Sequence, residues 1–122
     1  MDKTAKLSST LSVPRLIIGL WQIADMERKN PSLDLKKMTT HMNPYIEAGL
    51  TTFDMADHYG SSEIIAGNCK NNHPEKDKIS LFTKWVPKPG PIDKKMVRQA
   101  IELALERMQQ NSIDLMQFHA WL

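Results

Sequence analysis

The sequence predicts an α/β fold of about four βα units, a (β/α) barrel or part of one, with a short hairpin in front. Three observations predict it. Apolar runs of strand length alternate with segments of helical period, which implies parallel strands joined by right-handed crossovers. No GxGxxG follows the first apolar run and no GxxxxGK[ST] occurs in the chain, which counts against a dinucleotide-binding doubly wound sheet or a P-loop. Chemically distinctive polar residues fall at the ends of successive strands, where such a barrel keeps its active site.

The 122 residues read as one domain, 1–122, of a soluble globular class. A net charge of +2 is too small to suggest a nucleic-acid partner. No stretch has the apolar length of a membrane span. The opening MDKTAKLSSTLS has no apolar signal-peptide core, so a cytoplasmic location is the expectation. Cys69 stands alone, which leaves no disulfide framework and no thiolate metal cluster.

Leu7, Leu11 and Val13 flank a Ser-Ser-Thr turn, which predicts a small hairpin over 5–13. Pro14 then opens Arg15 to Trp21, an almost continuous apolar run suited to a strand buried on both faces. Residues 22–32 read as a polar loop. Leu35, Met38, Met42 and Ile46 give 33–48 a helical period, with a break near Asn43 because Pro44 lies inside it and a stop at Gly49. A second strand is expected from Thr51 to Asp54 and a short helix over 61–68 capped by Ser61 or Ser62. Residues 68–78 read as a solvated loop, with Cys69 inert on it, and 79–85 as the third strand.

Asp93 is placed to cap the most regular helix, whose Met96, Val97, Ala100, Ile101, Ala104, Leu105 and Met108 share one face. Asn111-Ser112 is expected to end it, and the fourth strand to run from Ile113 to His119. The Met residues at helical spacing are read as packing, and His41, His58 and His73 as surface residues.

The stretch Thr51 to Glu63 carries the first half of a candidate site. Side chains alternate along a strand, so parity sorts which ones share a face. On the second strand Asp54 pairs with Thr52, leaving Phe53 for the helix layer. Lys84 pairs with Phe82 on the third. His119 pairs with Gln117 and Leu115 on the fourth, and Trp21 with Gly19 and Ile17 on the first. Tyr59 follows in the loop after Asp54.

These groups suit proton delivery to a developing alkoxide. An ordinary phenol, with a reference pKa of about 10, is a poor donor at neutral pH. A lysine ammonium about 4 Å away, at an effective dielectric of about 20, favours a phenolate by roughly 4 kcal/mol. A carboxylate keeps that lysine charged and placed, and an imidazole can orient a carbonyl oxygen. No side chain supplies hydride, which implies a nicotinamide cofactor.

The same residues carry a resemblance. FDMADHYGSSE resembles the aldo-keto reductase signature around an Asp and a Tyr, and TKW at 83–85 looks like that family's strand-three lysine motif. DLMQFHAW at 114–121 is similar to the strand-four segment ending in a His, and IIGLWQ at 17–22 to the first strand. The resemblance implies the N-terminal half of a (β/α)8 TIM barrel and the NADPH-dependent reduction of a small-molecule aldehyde or ketone. It implies Tyr59 as general acid, Lys84 as the cation that eases its proton release, Asp54 as the partner of Lys84, and His119 as the substrate-orienting group. Gly19, Leu20 and Trp21 would line the nicotinamide side, with Asp54 near the cofactor ribose, and Trp85 and Trp121 would form an apolar substrate wall. No metal is implied.

A whole barrel of this type runs to about 250 residues, and its later strands hold most of the cofactor phosphate contacts. A truncation after strand four is therefore expected, with most of the NADPH/NADP site missing. Exposed half-barrel edges would favour self-association. The competing reading is a catalytically inactive half-barrel remnant or self-associating binding module. A metal-dependent hydrolase using Asp54, His58 and His119 is a weaker alternative, since neither HxH nor HExxH occurs.

Overall fold

The computed structural model describes residues 2–30, 32 and 34–120, with backbone alone at 24, 25 and 27. Strands β1 (Thr4–Lys6) and β2 (Ser12–Pro14) form the expected hairpin, with Ala5 opposite Val13. Four further strands build one parallel sheet: β3 (Ile18–Gly19), β4 (Thr52–Asp54), β5 (Ser80–Trp85) and β6 (Leu115–Phe118). Their spatial order, β3-β4-β5-β6, is their chain order. Every crossover therefore steps the same way, and a right-handed connection then puts every helix on the same face. A doubly wound sheet would reverse its order at a switch point, and none occurs here. The architecture is that of half a barrel wall, open at β3 and β6 among the described residues.

The first strand is shorter than expected. Only Ile18–Gly19 pair with β4, Leu16 and Ile17 are exposed, and helix α1 (Trp21–Lys29) replaces the loop read over 22–32. Ile23 turns into the core, and Arg28 and Lys29 fall in the last turn, where cations complement the helix dipole. Those two features favour a helix over the polar loop expected there, and the helix stops at Lys29, ahead of Asn30.

The next helical stretch divides as expected. Helix α2 (Leu35–Thr40) is capped by Asp34, whose carboxylate accepts from the Lys36 amide at 3.0 Å. Helix α3 (Asn43–Glu47) restarts with Pro44 in its first turn, where a missing N–H costs nothing. Met38, Met42 and Ile46 are buried, and Gly49 ends the segment with φ +85°.

Helix α4 (Ser62–Asn72) outruns its predicted end. Cys69 is buried and continues the inner face of Ile65 and Ala66, while the polar NCKNN residues around it cover the outside. It therefore lies in the core rather than on a loop, and burial pushes its thiol up from the ordinary value. A 3-10 turn (Lys76–Lys78) leads into β5.

Helix α5 (Lys94–Met108) begins as predicted, with Asp93 accepting from the Met96 amide at 2.8 Å. It ends at Gln109, in the left-handed region with φ 51°. Of its apolar face, Ala104 and Met108 are buried while Val97 and Ile101 remain exposed. With Trp85, Ile92, Met116 and Phe118 these line an open groove of about 340 Å³.

The main core lies between sheet and helices, around Phe53, Met55, Ile65, Leu81 and Met108. Among the described residues no helix is long and apolar enough to cross a membrane.

Candidate active site

Register brings the predicted polar residues to one face. Gly19 lies opposite Asp54, Asp54 opposite Phe82, Phe82 opposite Leu115, and Lys84 opposite Gln117. Phe53, Leu81 and Thr83 alternate to the helix side and are buried. Strand pairing continues beyond β4: the Met55 amide donates to the Phe82 carbonyl at 2.9 Å and the Asp57 amide to that of Lys84 at 3.0 Å.

Lys84 Nζ donates to Asp54 Oδ2 at 2.6 Å and to the Met55 carbonyl at 3.0 Å. The Lys84 side chain is 14% exposed and that of Asp54 30%, so this charge-assisted bond is partly shielded from water. The same ammonium lies 5.2 Å from the centre of the Tyr59 ring. Tyr59 sits in a tight turn, its amide donating to the Ala56 carbonyl and its carbonyl accepting from the Ser62 amide. Gly60 closes the turn with φ +53°, which glycine adopts at no steric cost.

Two aromatic rings fix Tyr59 from the sides. Trp21 meets it edge-on at 5.2 Å and His58 at 4.9 Å. His58 is exposed, as predicted for a surface residue, yet it also packs on Tyr59 and its Nδ1 lies 3.0 Å from Asp57 Oδ1. Trp21 reaches the site as the first residue of α1 rather than as the end of a strand.

The remaining predicted residues divide. His119 follows β6, and its amide donates to the Trp85 carbonyl at 2.9 Å, which anchors it at the strand end beside β5. Asp54, Lys84 and Tyr59 are thus joined by direct contact, and His119 by its backbone. Gly19 is exposed beside Asp54. Leu20 is buried in the core, and its amide donates to the Asp54 carbonyl at 2.9 Å, so it backs the site rather than facing a ligand. Trp85 lies on the opposite face of β5 from Lys84, edge-on to Phe118 at 5.6 Å. Strand alternation therefore takes it away from the Tyr59 side and into the groove beside α5. Trp121 lies outside the described residues.

Behind the site is a polar cluster that sequence reading missed. Glu63 is buried, and its Oε2 accepts from Thr83 Oγ1 at 2.9 Å. Arg107 Nε lies 3.5 Å from Glu63 Oε1, an ion-pair distance without a hydrogen bond. Desolvation raises the Glu63 carboxyl, while the Thr83 bond and the Arg107 charge oppose the rise and Asp57 adds to it. Ser-Ser-Glu reads naturally as an exposed helix start. The spacing of Glu63 to Ala66 and Cys69 was the available hint that this face turns inward.

Among the described residues no group of three or more His, Cys, Asp or Glu could hold a metal ion. The sequence model of the Aldo/keto reductase family matches residues 15–122. A curated 6-dehydroglucose reductase from Agrobacterium fabrum is 34% identical over 85 residues, which cover 64% of this chain and 26% of the relative. An aldo-keto reductase from Klebsiella pneumoniae, solved in complex with NADPH, superposes with a TM-score of 0.76 at 22% identity, covering 98% of this chain and 39% of that one. The holo form of an aldo-keto reductase from Bacillus halodurans gives a TM-score of 0.75 at 24% identity, covering 98% and 41%. The chain thus spans well under half the length of these relatives, and its fold is that of half of their (β/α)8 barrels. With the match running from Arg15 to the last residue, the chain belongs to the aldo/keto reductase family.

Proposed function

We propose that this chain carries the proton-donating site of an NADPH-dependent carbonyl reductase acting on a small aldehyde or ketone in the cytoplasm. The observation that carries the reading is one ammonium bonded to a carboxylate and lying over an aromatic phenol ring. Lys84 Nζ is 2.6 Å from Asp54 Oδ2 and 5.2 Å from the Tyr59 ring centre. The family and the NADPH complex of the Klebsiella pneumoniae relative support a nicotinamide cofactor.

The residues present fit the reactive end of such a group. A Cβ added at Gly19 meets nothing within 4 Å, so the rim beside Asp54 is open, and the half-exposed Trp21 ring stands next to Tyr59. Gly19 and Trp21 would hold the nicotinamide side and Asp54 the ribose. A bound reduced nicotinamide supplies the hydride. Tyr59 Oη delivers its proton to the carbonyl oxygen as negative charge develops there. Asp54 and the Met55 carbonyl occupy two of the three Lys84 donors, leaving one for the phenolate as the proton leaves. His119 orients the carbonyl oxygen from the next strand.

Mixing the protein with NADPH and a reactive aldehyde should consume the reduced-nicotinamide absorbance, and Tyr59→Phe should stop it. Absence of both turnover and NADPH binding overturns the reading for this chain. A second reading, a self-associating half-barrel, is favoured by the exposure of Phe118 (60%) beside the groove of Val97 and Ile101. A compact monomer by sedimentation at high concentration would sink it.

A further inference from the structure

Arg107, far from the rim in sequence, is bound to the backbone of the turn that carries Tyr59. Its Nη1 donates to the Asp57 carbonyl at 3.0 Å and its Nη2 to the Gly60 carbonyl at 2.8 Å. These carbonyls lie on either side of Tyr59. One planar guanidinium therefore staples the turn across its base. Its third nitrogen faces Glu63, whose other oxygen accepts from Thr83, the residue immediately before Lys84.

The two reacting groups are thus referenced to one pair, a part-buried Arg107 and a buried Glu63. The Tyr59 turn hangs from Arg107, and the strand segment bearing Lys84 is tied through Thr83 to Glu63. Asp57 adds a second tie, since its amide donates to the Lys84 carbonyl and its Oδ2 accepts from the Val86 amide at 3.1 Å. Neither Arg107 nor Glu63 is at the rim: Glu63 is fully buried, and both line a small cavity of about 90 Å³ beneath Lys84 and Trp85.

We infer that Arg107 is a positioning residue, which sets the distance between the Tyr59 phenol and the Lys84 ammonium by holding the Asp57–Gly60 turn against the Glu63–Thr83 anchor. The inference rests on the reading of Tyr59 as proton donor. Its chemistry is specific to arginine, because a lysine ammonium keeps the charge but has no rigid fork to hold two carbonyls at once. Reacting groups misplaced by about 1 Å can cost about a hundredfold in rate.

The test is Arg107→Lys in the full-length protein. Single-turnover carbonyl reduction should slow about tenfold or more, with KM changed less than about twofold. Amide hydrogen exchange across 56–62 should accelerate while exchange in β4 and β5 is unchanged. Glu63→Gln, which keeps both carbonyl bonds, should show a smaller effect of the same kind and decides the matter if Arg107→Lys does not fold. Wild-type rate and exchange in either folded variant overturn the inference. So does a loss confined to KM. If wild type shows no reduction, the function proposal fails separately, and the exchange measurement still judges the staple.

Discussion

Lys84 Nζ and Asp54 Oδ2 stand 2.6 Å apart, donated from two neighbouring strands whose register places both side chains on one face. The pair is partly shielded, so removing one partner leaves the other charge poorly solvated. Lys84→Met is expected to cost about 1.5–3 kcal/mol of folding free energy, the scale of a hydrogen bond to a charged group. Asp54→Asn, which keeps an acceptor for Lys84, should cost less. Urea denaturation midpoints compare the two, and equal losses would argue against a charge-assisted bond.

Tyr59→Phe separates chemistry from packing. The ring contacts to Trp21 and His58 survive, so the thermal midpoint should be unchanged. Only the hydroxyl is lost, and carbonyl reduction should fall by about 10²- to 10⁴-fold. A variant that stays active would remove Tyr59 as the donor.

Gly67 lies where α4 packs against the end of α5 at Met108. A Cβ there would overlap the Met108 carbonyl, which belongs to helix backbone and cannot rotate away. Gly67→Ala should therefore force the helices apart and destabilise by about 1–3 kcal/mol, despite alanine's better helix propensity. A stability equal to or above wild type would show that the helices separate without loss.

Glu63 gives the stability a pH dependence of definite sign. Its carboxyl has an ordinary value of 4.5, and burial raises it in the folded state against the opposing Thr83 and Arg107, with Asp57 reinforcing the rise. The folded chain thus binds this proton more tightly than the unfolded chain. The contribution is complete below about pH 4.5 and is lost as pH rises through the raised folded value. Denaturation midpoints of wild type and Glu63→Gln, measured from about pH 4 to about pH 8, should diverge across that interval. Parallel curves would assign the dependence to other groups.

The strand ends were readable because a period of two is rigid. Once Phe53 and Leu81 are taken as core, Asp54 and Lys84 must face the other way. Capping was readable at Asp93, where a side-chain oxygen meets an orphan amide within one turn. The boundary of β3 was not. An apolar run from Leu16 to Trp21 suits a strand or a helix start equally, and only pairing with β4 decides that the strand stops at Gly19 and that α1 begins at Trp21. Trp85 alternates with Lys84 along β5, so it faces Phe118 and the groove beside α5.

By itself, then, the sequence determined the alternation of strands and helices, the order of the polar residues, and the strand face on which Asp54 and Lys84 each lie. These follow from local periodicity and from the chemistry of single side chains. The tertiary structure alone decided that Glu63 is buried and that Arg107 grips the Tyr59 turn. Those contacts join residues from about 20 to 50 positions apart, and they form only when α4 packs on β5 and α5 on α4. Nothing in the period of a helix tells which distant backbone its charged face will meet.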